Sequence, residues 1–166
     1  MTSLRPMTAS EYAAWSERQV PAYAADKVAS GQWTKAEALE KSRQEHAELL
    51  PRGLDTPDNR FFTIVDERQS PVGNLWFAIK ARFGSRVAYV FDVGIAPARR
   101  REGHAYRAFV ALEAEVRESG LSGIALHVFG NNTGARALYS KLGFQPTNIS
   151  LFKAVPGENG PRGTEP

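Results

Sequence analysis

The sequence predicts a single α/β (α+β) domain with a mixed β-sheet flanked by helices. The first sixty residues have helical periodicity, the middle of the chain alternates with the period of β-strands, and the part after Pro97 reads strand, helix, strand, helix. The chain has 166 residues, of which 42% are hydrophobic, so one domain with a sizeable core is expected. We assign residues 1–153 to this domain and expect residues 154–166, which are rich in proline and glycine, to form a disordered tail.

Two helices are predicted at the N-terminus, over about residues 10–29 and 35–50. Each begins at a threonine that is followed three positions later by a glutamate, the spacing of a capping box. The two pairs are Thr8 with Glu11 and Thr34 with Glu37. Pro21 is expected to kink or split the first helix, because proline cannot donate the backbone hydrogen bond that a helix interior requires.

Three strands follow, over about residues 61–65, 73–81 and 87–95. Only short turns separate them, and a short turn can join neighbouring strands only if they are antiparallel. The middle of the chain therefore predicts an antiparallel meander.

The last third of the domain predicts alternating helices and strands. A helix with an apolar face covers about residues 105–118, and a strand covers 121–129. A second helix over 132–142 ends at a glycine, and a final strand is expected over 144–152.

Composition excludes several kinds of site. The chain has no cysteine, which excludes disulfides, thiolate zinc sites, iron–sulfur clusters and a cysteine nucleophile. Its three histidines are scattered, so no metal site is expected. No apolar run is long enough to span a bilayer, so we expect a soluble cytoplasmic protein without membrane contact.

The most informative loop joins the third strand to the following helix. It carries Arg99-Arg100-Arg101 and Gly103, and residues 99–107 together hold four arginines and one glutamate, a charge of +3 that equals the net charge of the whole chain. Backbone N–H groups at a helix start and nearby arginines favour phosphate, and glycine permits close approach. The alternatives are a solvated basic turn or, less favoured, a nucleic-acid contact, for which no recognition motif is present.

A second motif lies 29 residues after that glycine, at the start of the last helix. Together Arg100-x-x-Gly103-x-Ala105 and Asn132-x-x-Ala135-x-x-x-Tyr139 resemble the two motifs of the GNAT superfamily of N-acetyltransferases. More narrowly, segments 89–93 and 126–130 are similar to a bacterial subgroup of uncharacterised acetyltransferases. The resemblance implies a mainly antiparallel mixed sheet whose two central strands splay apart, with helices on both sides.

The resemblance also implies acetyl-CoA as co-substrate, with the pantetheine arm in the gap between the splayed strands and no metal. The backbone of the third meander strand would pair with pantetheine, the loop would hold the pyrophosphate, and the start of the last helix would contact the cofactor. The residues so implied are Val93, Ile95, Arg100, Arg101, Glu102, Gly103, His104, Ala105 and Asn132. We expect the side chain of His104 to be exposed or beside phosphate, and that of Glu102 to point to solvent.

Two side chains are candidates for proton transfer. Tyr139, implied by the resemblance to lie near the thioester sulfur, would be the general acid, and the alternative is a core tyrosine. Asp92 would be the general base, because a carboxylate inside an apolar strand is costly unless it is used or paired. The alternatives for Asp92 are a solvent-facing position, a salt bridge to an arginine, or a water chain in its place.

The acceptor is expected to be a small-molecule or peptide amine, attacked directly within a ternary complex because no cysteine can carry the acetyl group. His127 and Trp76 are candidate substrate contacts, and for both a core position is the alternative. A non-catalytic CoA-binding regulatory module on the same fold is the competing function. A homodimer is possible, nucleic-acid binding is not favoured, and the acceptor is not identified.

Overall fold

The computed structural model describes residues 1–155. The tail predicted from residue 154 onward therefore lies almost entirely outside the described residues. The helices are α1 (Ala9–Ala29), α2 (Lys35–Leu49), α3 (His104–Glu118) and α4 (Thr133–Lys141), and the strands are β1 (Ser3–Pro6), β2 (Asn59–Val65), β3 (Pro71–Arg82), β4 (Ser85–Ile95) and β5 (Ile124–Leu126). None of the described helices is both long and apolar enough to cross a membrane.

The strands form one sheet in the order β1-β2-β3-β4-β5. Each of the first four strands is antiparallel to its neighbour, which confirms the predicted meander. β5 returns through α3 and lies parallel to β4, so the sheet is mixed and mainly antiparallel, as predicted.

The N-terminal helices begin where the capping-box spacing placed them. Both boxes form, and the Glu11 carboxylate that closes the first one also accepts from Arg5 at 2.7 Å. The predicted split at Pro21 is wrong, because α1 is assigned as one helix through that residue. Glu17 and Pro21 lie on the exposed side of α1, so water can bind the Glu17 carbonyl that lacks the proline N–H, while the buried Trp15 and Ala24 hold the helix on both sides. The buried Ser42 of α2 also donates its hydroxyl to the carbonyl of Val20 at 2.6 Å.

The sheet has a hydrophobic core on each face. On one face α3 packs its apolar side, including the fully buried Phe109 and Leu112, against the central strands. On the other face α1 contributes Trp15 to an aromatic cluster with Phe61 and Trp76. The sheet is therefore covered on both sides, as predicted, and its central strands are held between two packed layers.

The sheet ends earlier than the sequence predicts. β5 has three residues where 121–129 was predicted, and within residues 1–155 no strand follows α4. The predicted strand over 144–152 is therefore wrong. Its later apolar side chains, Ile149, Leu151 and Phe152, are solvent-exposed, and only Phe144 packs against the core. Apolar residues are therefore not sufficient for a strand when the segment buries few of them and pairs with no neighbouring strand.

Candidate active site

A gap opens in the sheet where β4 and β5 separate. The two strands pair at only three positions, ending at Val90 with Leu126. β4 continues for five more residues, to Ile95, paired with β3 alone on its other side. The second half of β4 therefore presents an edge whose backbone groups have no strand partner, as the predicted splaying requires.

A β-bulge in β4 marks the start of this gap. Trp76 is paired with Asp92 and the next residue of β3 with Val90, which leaves Phe91 as the extra residue. Beyond the bulge, Ala96 donates its N–H to Val72 of β3, and the carbonyl of Ile95 instead accepts from the Arg100 side chain at 3.2 Å. Because backbone groups alternate along a strand, those of Val93 and Ile95 face the gap.

The basic loop ends at the first turn of α3, near the open end of the gap. Gly103 is the N-cap residue with φ of 78°, and Arg101 also has a positive φ, of 67°. No side chain caps α3, so its first N–H groups are free to bind an anion. The exposed guanidinium groups of Arg100 and Arg101 lie in the same loop. These features suit a pyrophosphate, which needs backbone donors and positive charge.

Arg99 is engaged within the protein. Its guanidinium contacts the carboxylates of Asp66 and Glu102, each at 3.1 Å. The hydrogen bonds from the Ser70 backbone and from Arg99 lower the pKa of Asp66, and the bonds from Arg99 and His104 lower that of Glu102. Arg99 therefore anchors the loop.

Of the two expectations about side chains of the loop, the exposed position is wrong for His104. This residue is buried, with 6% of its surface exposed, and its Nδ1 lies 2.8 Å from the hydroxyl of Thr2. The side chain of Glu102 is exposed, as expected, and its carboxylate also lies 3.0 Å from Nε2 of His104. Arg107 completes the network by donating to the Thr2 hydroxyl and to the Glu102 carbonyl.

Asp92 lies on the α1 side of the sheet, directly after the bulge. Its Oδ2 accepts from the indole N–H of Trp15 at 2.8 Å and from the amide of Asn74 at 2.5 Å. Burial raises the pKa of the Asp92 carboxyl, and these two hydrogen bonds oppose the rise. Asp92 makes no salt bridge among the described residues. The alternative of a salt bridge between Asp92 and an arginine is therefore not found.

Tyr139 lies on α4 and is half-buried. Its ring packs edge-on against Phe109 and Phe144, each with centroids 5.5 Å away. Burial, and secondarily the charge of Asp92, raise the pKa of its phenol above 10. Tyr139 is thus partly a core residue, as its alternative held, and it also lies close enough to Asp92 to sense its charge.

The remaining candidate residues have different surroundings. Asn132 is the N-cap of α4, where its side chain accepts from the Ala135 N–H at 3.1 Å. His127 is exposed directly after β5, so the expected core position is wrong for it. Trp76 is 4% exposed, so it occupies the core position given as its alternative. Its indole N–H donates to Asn59, and its ring stacks on that of Phe91 with centroids 4.6 Å apart.

Sequence reasoning missed the residues that hold these groups in place. Trp15 and Asn74 hold Asp92, and Thr2, Asp66 and Arg107 hold the loop. The one available signal was Asp92 itself, since a carboxylate in an apolar strand requires hydrogen-bond donors from elsewhere in the chain. No local pattern indicated which residues supply them.

Comparisons with known proteins show the family of the chain. The model of the Acetyltransferase (GNAT) family matches residues 22–144. The chain is 33% identical to the uncharacterized N-acetyltransferase YycN of Bacillus subtilis, over 92% of this chain and 97% of that protein. It is 34% identical to the uncharacterized N-acetyltransferase YdgE of the same organism, over 92% and 98%.

Solved structures give the same result for the fold. The crystal structure of YycN has a TM-score of 0.88 at 32% identity, covering 95% of this chain and all of that one. AAC(6')-Iy, in complex with a bisubstrate analog of CoA and acetylneamine, has a TM-score of 0.61 at 16% identity, covering 95% of this chain and 99% of that one, which shows the fold alone. The chain belongs to the GNAT family of acetyltransferases.

Proposed function

We propose that this protein transfers the acetyl group of acetyl-CoA to a primary amine by direct attack within a ternary complex. The observation that carries the proposal is the gap between β4 and β5, with an uncapped helix start and exposed arginines at one end and Asp92 two residues beyond the last pair, Val90 with Leu126, at the other. An extended chain with a pyrophosphate at one end and a thioester at the other fits this layout.

The backbone groups of Val93 and Ile95 would pair with the amides of pantetheine, completing the edge of β4 as a further strand would. The N–H groups from Arg101 to Ala105, together with the side chains of Arg100 and Arg101, would bind the pyrophosphate. Asn132, exposed at the start of α4, would contact the cofactor through the part of its amide that the cap leaves free. Arg100 would have to leave the carbonyl of Ile95 as pantetheine enters.

Asp92 and Tyr139 would divide the proton transfers. An amine attacks only as the free base, and the raised pKa of Asp92 makes its carboxylate a better proton acceptor than an exposed aspartate. As the new C–N bond forms and the C–S bond breaks, the amine proton passes to Asp92, directly or through water. The leaving thiolate takes its proton from Tyr139, whose phenol stays protonated at neutral pH.

The binding site for the acceptor amine is proposed to lie between α1, α2 and the part of the gap that follows the last β4–β5 pair, Val90 with Leu126. Phe91 and the exposed His127 border this region and are proposed acceptor contacts, with Trp76 supporting Phe91 from behind. A cationic amine would be attracted by the ionised carboxylate of Asp92 before it gives up its proton.

The test begins with binding, measured by calorimetry with acetyl-CoA and CoA. Thiol release is then followed with a panel of amines that includes polyamines, aminoglycosides, amino acids and peptides. Turnover that falls at least about 100-fold in Asp92→Asn supports the proposal. Absence of acetyl-CoA binding would overturn it, and binding without turnover across the panel would favour the non-catalytic CoA-binding module.

A further inference from the structure

The carboxylate of Asp92 is held by one oxygen only. The indole N–H of Trp15 and the amide of Asn74 both donate to Oδ2, at 2.8 and 2.5 Å. Oδ1 has no donor among the described residues, and it is absent from the buried polar atoms that lack a partner. It therefore keeps some accessible surface, so one oxygen is fixed by two donors and the other is left without one among the described residues.

The first donor belongs to the most enclosed side chain of the aromatic cluster. Trp15 is 2% exposed, and its ring contacts those of Phe61, Trp76 and Tyr12 with centroids 5.4 to 5.5 Å away. These contacts leave the indole little freedom to rotate. The direction of its N–H is thus fixed by packing on α1, a helix that is 77 residues from Asp92 in sequence.

The second donor depends on two glycines of the sheet. Asn74 pairs across the strands with Gly94, and a Cβ at Gly94 would lie 3.2 Å from the Asn74 amide oxygen. A Cβ at Gly73 would overlap the carbonyl oxygen of Gly94, so the strands approach closely at this point. The space for the Asn74 amide exists because position 94 has no side chain.

We propose that Trp15 and Asn74 are positioning residues that bind Oδ2 of Asp92 and thereby direct Oδ1 to the acceptor amine. This inference rests on the proposed function, in which Asp92 is the base. Both donors stabilise the ionised carboxylate, so they limit the rise in its pKa and set the pH at which it can accept a proton. The charged and titratable groups that face Asp92 are Arg18 and Asp26 of α1 and Tyr139 of α4, while His46 of α2 contacts Trp15.

The test compares Trp15→Phe and Asn74→Leu with wild type. Either change removes one donor, so we expect the acidic limb of the pH profile of kcat/KM to move upward by about one pH unit. We also expect kcat to fall by about 10- to 100-fold, because the base is no longer aligned, while KM for acetyl-CoA stays within about twofold. The control is Ser42→Ala on α2, which also loses one buried donor, the hydroxyl that binds the Val20 carbonyl. Its acidic limb should stay in place.

A readout independent of turnover separates this inference from the proposed function. The carbon-13 NMR signal of the labelled Asp92 carboxyl should titrate at higher pH in Trp15→Phe and Asn74→Leu than in wild type and Ser42→Ala. An unmoved titration and an unmoved kinetic limb in both variants would overturn the inference. Full activity in Asp92→Asn would overturn the assignment of the base, whatever the two donors do to the pKa of Asp92.

Discussion

Nδ1 of His104 lies 2.8 Å from the hydroxyl of Thr2, and this contact ties the first turn of α3 to the N-terminal end of the chain. Arg107 donates to the same hydroxyl at 2.9 Å. The loop that is proposed to bind pyrophosphate is therefore braced by a segment 102 residues away in sequence. Its conformation depends on the fold as a whole, and substitutions far from the ligand should affect binding.

We expect Thr2→Val to lower the free energy of unfolding by about 1–3 kcal/mol, because it removes a hydroxyl that pairs with the buried His104. Binding of CoA should weaken in the same variant, since the start of α3 loses its brace. Urea unfolding and calorimetry measure the two effects. The control is Thr147→Val on the exposed segment after α4; equal stability losses in both variants would contradict the role assigned to Thr2.

Gly103→Ala should reduce CoA affinity by at least about tenfold, equivalent to about 1.4 kcal/mol. Alanine is strained at φ of 78°, and its Cβ would lie 2.8 Å from Nη1 of Arg107. Gly120→Ala is the matched control, because it imposes the same kind of strain at φ of 67° with no atom within 4 Å. Both variants should lose stability, and only Gly103→Ala should lose affinity in a calorimetric titration.

Tyr139→Phe should lower kcat by about 100-fold, the usual value of a positioned proton donor. Its thermal midpoint should change little, because phenylalanine keeps the ring contacts with Phe109 and Phe144. Since burial raises the phenol pKa, wild-type activity should not decline from loss of this proton below pH 10. Tyr106→Phe serves as the control on α3, and a similar loss of kcat there would argue against a specific role for Tyr139.

Asp92→Asn should be more stable than wild type at neutral pH while losing activity. The raised pKa means that the folded state favours the protonated carboxyl, so stability is greatest below pH 3.8 and is lost as the pH rises through the raised pKa. Asparagine carries no charge to bury, so the variant does not lose stability as the pH rises. In urea unfolding, the free energy of unfolding of Asp92→Asn should exceed that of wild type at pH 7, and the difference should disappear below pH 3.8. The surface variant Asp55→Asn should unfold like wild type at both pH values.

Local sequence carried most of the fold. Turn residues between short alternating runs predicted the meander, and Gly103 after a basic run predicted the start of α3. These features depend on neighbours within a few positions. The strand predicted over 144–152 is wrong, because a strand also needs a neighbouring strand and a surface that buries its side chains, which composition does not encode.

The internal support of the site could not be predicted in the same way. Trp15 and Asp92 are 77 positions apart, and Asp66 and Arg99 are 33 apart. Each pair is brought together only after the helices have packed on the sheet. Asp92 alone indicated that partners must exist, because an unpaired carboxylate in that strand would be costly.

The short pairing of β5 has a consequence for local stability. With three paired positions, on one side only, β5 has few backbone hydrogen bonds to break before it separates from β4. Its amides should exchange with solvent deuterium faster than those of β2 and β3, which have partners on both sides. An occupied gap would add hydrogen bonds along β4 next to this weakest border of the sheet. Acetyl-CoA would then stabilise the sheet as well as donate the acetyl group. Slower deuterium uptake by the amides of β4 in the presence of acetyl-CoA would show this stabilisation.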